Sequence, residues 1–304
     1  MFICMFPVSY PGSRERELGT FDTSGFGSTC RPSRMDHAVS TAAISVVIPV
    51  AMATAITWLG CFDSVITDLG FQHYGEHPDH NIPLLPSQLK MPANTLVNLG
   101  YTLLGFLWIN KFVKDRNDGA ITDGDLFVGS TFCWMAVAYG PVQFLRIVTQ
   151  RHRFAVLDQW FTLPFFAWVV VMSDYLMDGW NARRILTVVV LSFASYTFAL
   201  LHDLGFEVAL GFHILLAVMY GMQIFRASQS EKLKSKLLRA LMFAVLSCAG
   251  FVGLKLLDLY LARFLLFHRF SGHFWSKVAD IMQIHFVCKF FHPIMVENAK
   301  NKKE

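Results

Sequence analysis

The sequence predicts an all-α fold: a polytopic membrane helical bundle of about eight transmembrane helices, one N-terminal helix followed by a seven-helix core. Three observations carry this prediction. Hydrophobic residues make up 54% of the chain and charged residues only 16%, well below the roughly 25% that solvates the surface of a soluble domain. The mean hydropathy is +0.43. The apolar residues are also gathered into runs of about 20, the length a bilayer requires. A water-soluble globule and a disordered chain are both excluded. The net charge of +4 does not point to nucleic acid, because the basic residues sit in the connections and form no basic face.

Residues 1–34 stand apart from the rest. They hold Arg14, Glu15, Arg16 and Glu17 among Gly, Ser and Pro, with no long apolar run. They read as a disordered or non-native N-terminal tail, with Met35 as an alternative start. A multi-pass domain over 35–292 follows. Its apolar spans run at about 38–62, 92–112, 126–148, 154–175, 183–202, 204–225, 238–260 and 272–292. Most connections are short, so successive helices are expected to be antiparallel neighbours. The exception is Asp63–Lys90, acidic and rich in His and Pro, which is expected to form an ordered cap. Residues 293–304 read as a basic cytoplasmic tail.

Orientation follows from the lysines and arginines. The N-terminal tail, the connections near 113–125, 176–183 and 226–237, and the C-terminal tail hold roughly 18 of them, against roughly 6 on the other side. Basic residues are retained on the cytoplasmic side, so both termini are expected there, which requires an even number of spans. The segment Ser228–Arg239, with Lys232, Lys234, Lys236 and Arg239, reads as an ordinary positive-inside loop. The six cysteines form no CxxC pair, and no Asn-x-Ser/Thr acceptor occurs.

Within the spans the ionisable residues are informative, since each costs roughly 2.5–3.5 kcal/mol at a helix centre on the insertion scale. The last span carries His273, Lys277, Asp280 and His285. His273 and Lys277 are four apart and Asp280 follows three later, so one polar face must point inward. Lys277 with Asp280, and Lys255 with Asp258 in the preceding span, are spaced to pair. Following the alternating direction of the spans, Gln143, Arg146, Asp158, His202, Asp258 and His273 all fall at one leaflet. Such a cluster is either a site or a hydrogen-bonded structural plug, because buried charge must be paired whatever its purpose. His213 reads as a satisfied core histidine.

Several strings are specific: Ala138-Tyr139-Gly140-Pro141-Val142-Gln143, Leu157-Asp158-Gln159-Trp160-Phe161-Thr162-Leu163-Pro164, Gly205–Gly211, Ser271–Val278, Phe62-Asp63-Ser64-Val65 and Met91-Pro92. Together they closely resemble the transmembrane protein 187 family over about 35–291. That resemblance implies membrane residence and no established activity. Spans two to eight also distantly resemble the seven-helix core of the alkaline ceramidase and progestin/adiponectin-receptor superfamily, which binds zinc in the membrane. Laid on this chain, that superfamily's zinc ligands fall on Asp158 and His273, while the other two positions fall on Lys277 and near Gln143 and Ile147. A protonated lysine repels zinc and isoleucine has no lone pair, so the resemblance implies a fold that has lost its metal. It leaves Lys277 in the metal's place, as a fixed positive charge paired with Asp158.

The leading functional expectation is therefore a non-enzymatic protein that binds a membrane lipid or a partner. Its metal-free polar core would be built on Gln143, Asp158, Asp258, His273, Lys277 and Asp280. The alternatives are an intramembrane zinc-dependent lipid amide hydrolase with a rearranged site, and a transporter or channel.

Overall fold

Inside a bilayer no water satisfies the backbone, so apolar runs fold as helices whose N–H and C=O groups pair internally. The computed structural model describes residues 34–76, 89–228 and 230–303, and among these it is helical with no strand. The helices are α1 Arg34–Trp58, α2 Pro92–Leu96, α3 Leu99–Asn117, α4 Asp123–Thr149, α5 His152–Asp178 and α6 Ala182–Ser195. They continue with α7 Phe198–Leu201, α8 Gly205–Ala227, α9 Glu231–Leu256, α10 Asp258–Leu261 and α11 Gly272–Asn301. Local signals explain several starts. Thr122 and Asp125 form a capping box on α4, and the side chains of Asn181, Ser230 and Ser271 cap α6, α9 and α11.

Seven stretches among the described residues are long and apolar enough to cross a membrane: α1, α2 with α3, α4, α5, α6 with α7, α8, and α9. The chain is thus a multi-pass helical membrane protein. The remaining long helix, α11, is made polar by His273, Lys277, Asp280 and His285, yet it runs the length of the bundle. Its first turn meets Asp258 at one end. At the other end Asn298 Nδ2 donates to the Leu176 carbonyl (3.3 Å) and Lys303 Nζ to that of Gly119 (2.6 Å). Its 30 residues span about 45 Å at 1.5 Å per residue. Alone, the segment 271–291 is expected to insert poorly into a test membrane, since Lys277 and Asp280 each cost several kcal/mol. Efficient insertion in a glycosylation-reporter assay would contradict the inward polar face.

The bundle is built around α5. Buried residues make up 78% of its most apolar stretch, against 17% for α1, so α5 is the axis and α1 lies on the outside. Helices α1, α4, α6, α8 and α11 all pack on α5, while α11 lies chiefly along α9 and also touches α2, α3 and α4. The α3–α4 seam is close because Gly105 and Gly140 admit backbone. A Cβ on Gly105 would stand 2.7 Å from the Cys133 carbonyl, and one on Gly140 would stand 3.0 Å from that of Asn98.

The first span, set apart from the second by the long connection, lies against α4 and α5. The described parts of that connection do cap one end of the bundle. His152 Nε2 lies 2.7 Å from the Val65 carbonyl, and the Gly70 N–H donates to Gln150 Oε1 (3.0 Å). Lys232, Lys234, Lys236 and Arg239 are in the first turns of α9 rather than in a loop, since Ser230 caps the helix there. The expected tail beyond residue 292 continues as α11 to Asn301, because Ile294, Met295 and Ala299 are buried and hold it in place past Pro293. The N-terminal tail over 1–33 and loop residues 77–88 lie outside the described residues.

Candidate functional site

The polar core is assembled from the capped end inward. Helix α2 opens with Met91-Pro92-Ala93, which offers no capping side chain, so its free N–H groups need an acceptor from elsewhere. Glu76 supplies it: Oε1 accepts from the Ala93 N–H (2.9 Å) and Oε2 from that of Asn94 (2.8 Å). Asp258 does the same for α11. Its Oδ1 accepts from the His273 N–H and its Oδ2 from that of Gly75, both at 2.7 Å. Both carboxylates thus sit at helix starts, where orphan donors and the helix dipole favour negative charge.

Burial pushes the Glu76 carboxyl above the usual carboxylate range; the two backbone donors pull it back only in part, and the Asp258 charge adds to the rise. The folded protein therefore holds the Glu76 proton more tightly than the unfolded chain. This contribution is fully present below the ordinary glutamate range and is lost as pH rises through the raised value. Thermal unfolding of the purified protein is expected to show that loss, and Glu76→Gln should flatten it. An unchanged pH profile in the variant would contradict the assignment.

Deeper in, Tyr139, Gln143 and Arg146 share one face of α4 by their spacing of four and three, and Asp158 and Thr162 share one face of α5. Arg146 Nη1 pairs with Asp158 Oδ2. Tyr139 donates to Asp158 Oδ1 (2.8 Å), its hydroxyl lies 3.1 Å from Thr162 Oγ1, and Thr162 donates to the Asp158 carbonyl (2.8 Å). The two sequence strings around Gly140 and Trp160 are therefore two halves of one network. Beside it the Tyr101 ring meets Tyr139 edge-on at 5.1 Å, and its hydroxyl donates to Asp280 Oδ2 (2.5 Å).

The expected Lys277–Asp158 pair is not formed. Arg146 lies one helical connection from Asp158 in sequence, and its long fork reaches the carboxylate first. Lys277 Nζ instead stands 5.9 Å from the centre of the Tyr139 ring and 5.7 Å from that of Phe251, where the ring faces attract the cation. Among the described residues no carboxylate is within ion-pairing distance of Lys277, so the expected pairing with Asp280 is also absent. Asp258 is occupied by the Gly75 and His273 N–H groups and does not pair with Lys255. Of the expected cluster, Gln143, Arg146, Asp158, Asp258, His273 and Lys277 are buried, while His202 is exposed. Asp280 is half-buried under Tyr101.

The residues do not fit zinc. Both oxygens of Asp158 are engaged, one by a guanidinium that repels a divalent cation. His273 Nε2 is buried without a partner and its ring stands edge-on to Tyr74 at 4.9 Å, but Lys277 follows one turn later on the same face. His213 is bonded to Ala209 and Ser192, and His285 accepts from Trp108 (3.2 Å). Among the described residues no three His, Cys, Asp or Glu side chains converge. Ile147 is wholly buried against Tyr74 and Met91. Glu76, Tyr101 and Tyr139 escaped the sequence reading. The uncapped Met91-Pro92 start was the one signal for Glu76, and nothing in sequence spacing joins Tyr101 to Asp280.

Two cavities adjoin α5. One, between α4, α5 and α11, is a small void of about 20 Å³ walled partly by Tyr139, Thr162, Asp280 and Gln283. The other is a partly open cleft between α1, α4, α5 and α6 with about 70 Å³ of free volume, and its walls are apolar apart from Ser45, Thr131 and Ser192.

Comparison with known proteins gives a family. The model of the TMEM187 protein family matches residues 42–292. Human transmembrane protein 187 is 43% identical over 259 residues, covering 82% of this chain and 94% of the human protein. The bovine protein of the same name is 42% identical over 245 residues, covering 81% and 93%. No solved structure matches the chain. A family match over residues 42–292, with relatives aligned over nearly their full length, shows that this chain belongs to the transmembrane protein 187 family.

Proposed function

We propose that the protein is a non-enzymatic, multi-pass membrane protein that binds a membrane lipid between its helices, with its polar core serving as a metal-free structural plug. The observation that carries this reading is the partly open cleft between α1, α4, α5 and α6: it is walled almost wholly by apolar side chains, and no charged residue lines it. In lipid, association is driven by packing against apolar surface, and a preformed apolar cleft offers that surface. The polar core supports the same reading from the other side. Its carboxylates are engaged by Arg146, by tyrosines and by helix N–H groups, which is what a plug requires.

The test is native mass spectrometry of the protein in mild detergent. The wild type is expected to carry a lipid at close to one per chain, and Ala138→Phe, which fills the cleft, to lose it. Lipid no more abundant than on an unrelated helical membrane protein would overturn the reading. We also propose that both termini are cytoplasmic, from the loop charges and from an α11 that traverses the bundle. Protease protection should place them on one side; termini on opposite sides would contradict this.

A further inference from the structure

The cleft carries a more specific message in the hydrogens of its three hydroxyl groups. His213 Nδ1 lies 2.7 Å from the Ala209 carbonyl. A carbonyl can only accept, so Nδ1 carries the ring proton. In the neutral imidazole Nε2 is then an acceptor, and the Ser192 hydroxyl 3.0 Å away must donate to it. Ser45 donates to the Ala42 carbonyl and Thr131 to that of Phe127, each at 2.8 Å. All three hydroxyls on the cleft wall have committed their one proton, and each oxygen keeps acceptor capacity.

The cleft is thus apolar, uncharged and acceptor-only. An anionic or zwitterionic headgroup would find no counter-charge there, and desolvating it would be costly. A lipid with only ester or ether oxygens would find no donor. What matches is an uncharged lipid whose polar group is a hydroxyl. Ser45, Thr131 and Ser192 all lie well inside membrane-crossing stretches, a depth that an uncharged hydroxyl lipid reaches at lower cost than a charged one. We propose that Ser192, held by His213, is the hydrogen-bond acceptor of a cleft site for an uncharged lipid bearing a free hydroxyl, of the sterol or diacylglycerol type. This rests on the lipid-binding reading and names its ligand class.

The test uses the full chain in phosphatidylcholine nanodiscs with three photo-crosslinkable probes: a sterol, a diacylglycerol and a phosphatidylcholine. The expected result is saturable labelling of α1, α4, α5 or α6 peptides by one of the hydroxyl probes, which also identifies the source. Its unlabelled parent should compete about tenfold better than the parent's O-methyl ether, the worth of one hydrogen bond. Ser192→Ala should erase that preference while labelling persists. The ether comparison is made on the wild type, so it stands even if the variant misfolds. Equal competition by alcohol and ether, or preferential labelling by the phosphatidylcholine probe, overturns this inference and leaves lipid binding intact. No saturable cleft labelling by any probe overturns the lipid-binding reading itself.

Discussion

Arg146→Leu is expected to cost roughly 3–5 kcal/mol of stability, because it strands the buried Asp158 carboxylate without its guanidinium. Asp158→Leu should cost about the same by stranding Arg146, whose side chain is only 5% exposed. The double variant should recover much of the loss, since neither charge is then left unpaired. Yield of folded protein and thermal unfolding in detergent both read this. The matching cycle between Lys277→Met and Asp158→Leu should show little coupling, because Lys277 rests on the Tyr139 and Phe251 rings. Strong coupling of Asp158 to Lys277 and none to Arg146 would reverse the assignment.

Asp258→Ala is the second large effect. It removes one acceptor from two backbone donors at once, the Gly75 and His273 N–H groups. Leaving a buried donor unsatisfied costs about 1–3 kcal/mol each, and both the loop and the start of α11 lose their anchor together. Hydrogen exchange should accelerate at Gly75 and across the first turn of α11, while the middle of α5 stays protected. Asp258→Asn, which keeps an acceptor oxygen, should lie between. Exchange confined to one of the two sites would show that Asp258 does not tie them.

The helices were legible because a bilayer imposes a length and an apolar composition that run plainly through the chain. The inward face of α11 was legible for the same reason: Lys277 and Asp280 have no tolerable place in lipid. Partner choice was not. The i, i+3 spacing allowed Lys277 with Asp280 and Lys255 with Asp258, yet spacing on one helix says nothing of competitors on the next. Asp280 went to Tyr101, and Asp258 to the backbone N–H groups of Gly75 and His273. Arg146 and Asp158 were both expected at one depth, but assigning the pair required the α4–α5 connection, where Gln150 turns in the left-handed region and brings the two faces together. Glu76 was hidden because its role depends on the uncapped start at Met91-Pro92, which lies well beyond it in the sequence. His213 was as expected, a core histidine with both nitrogens engaged.

Asp158 holds the Arg146 guanidinium where a metal ligand would have to stand free, and the metal content of the purified protein tests this. Protein purified in mild detergent without chelator, then measured by inductively coupled plasma mass spectrometry, should contain far less than one zinc per chain. Added chelator should leave its unfolding temperature unchanged, as expected of a fold held by the Arg146–Asp158 pair and not by a metal. About one zinc per chain, with a chelator that destabilises the wild type but not Asp158→Leu, would contradict the account.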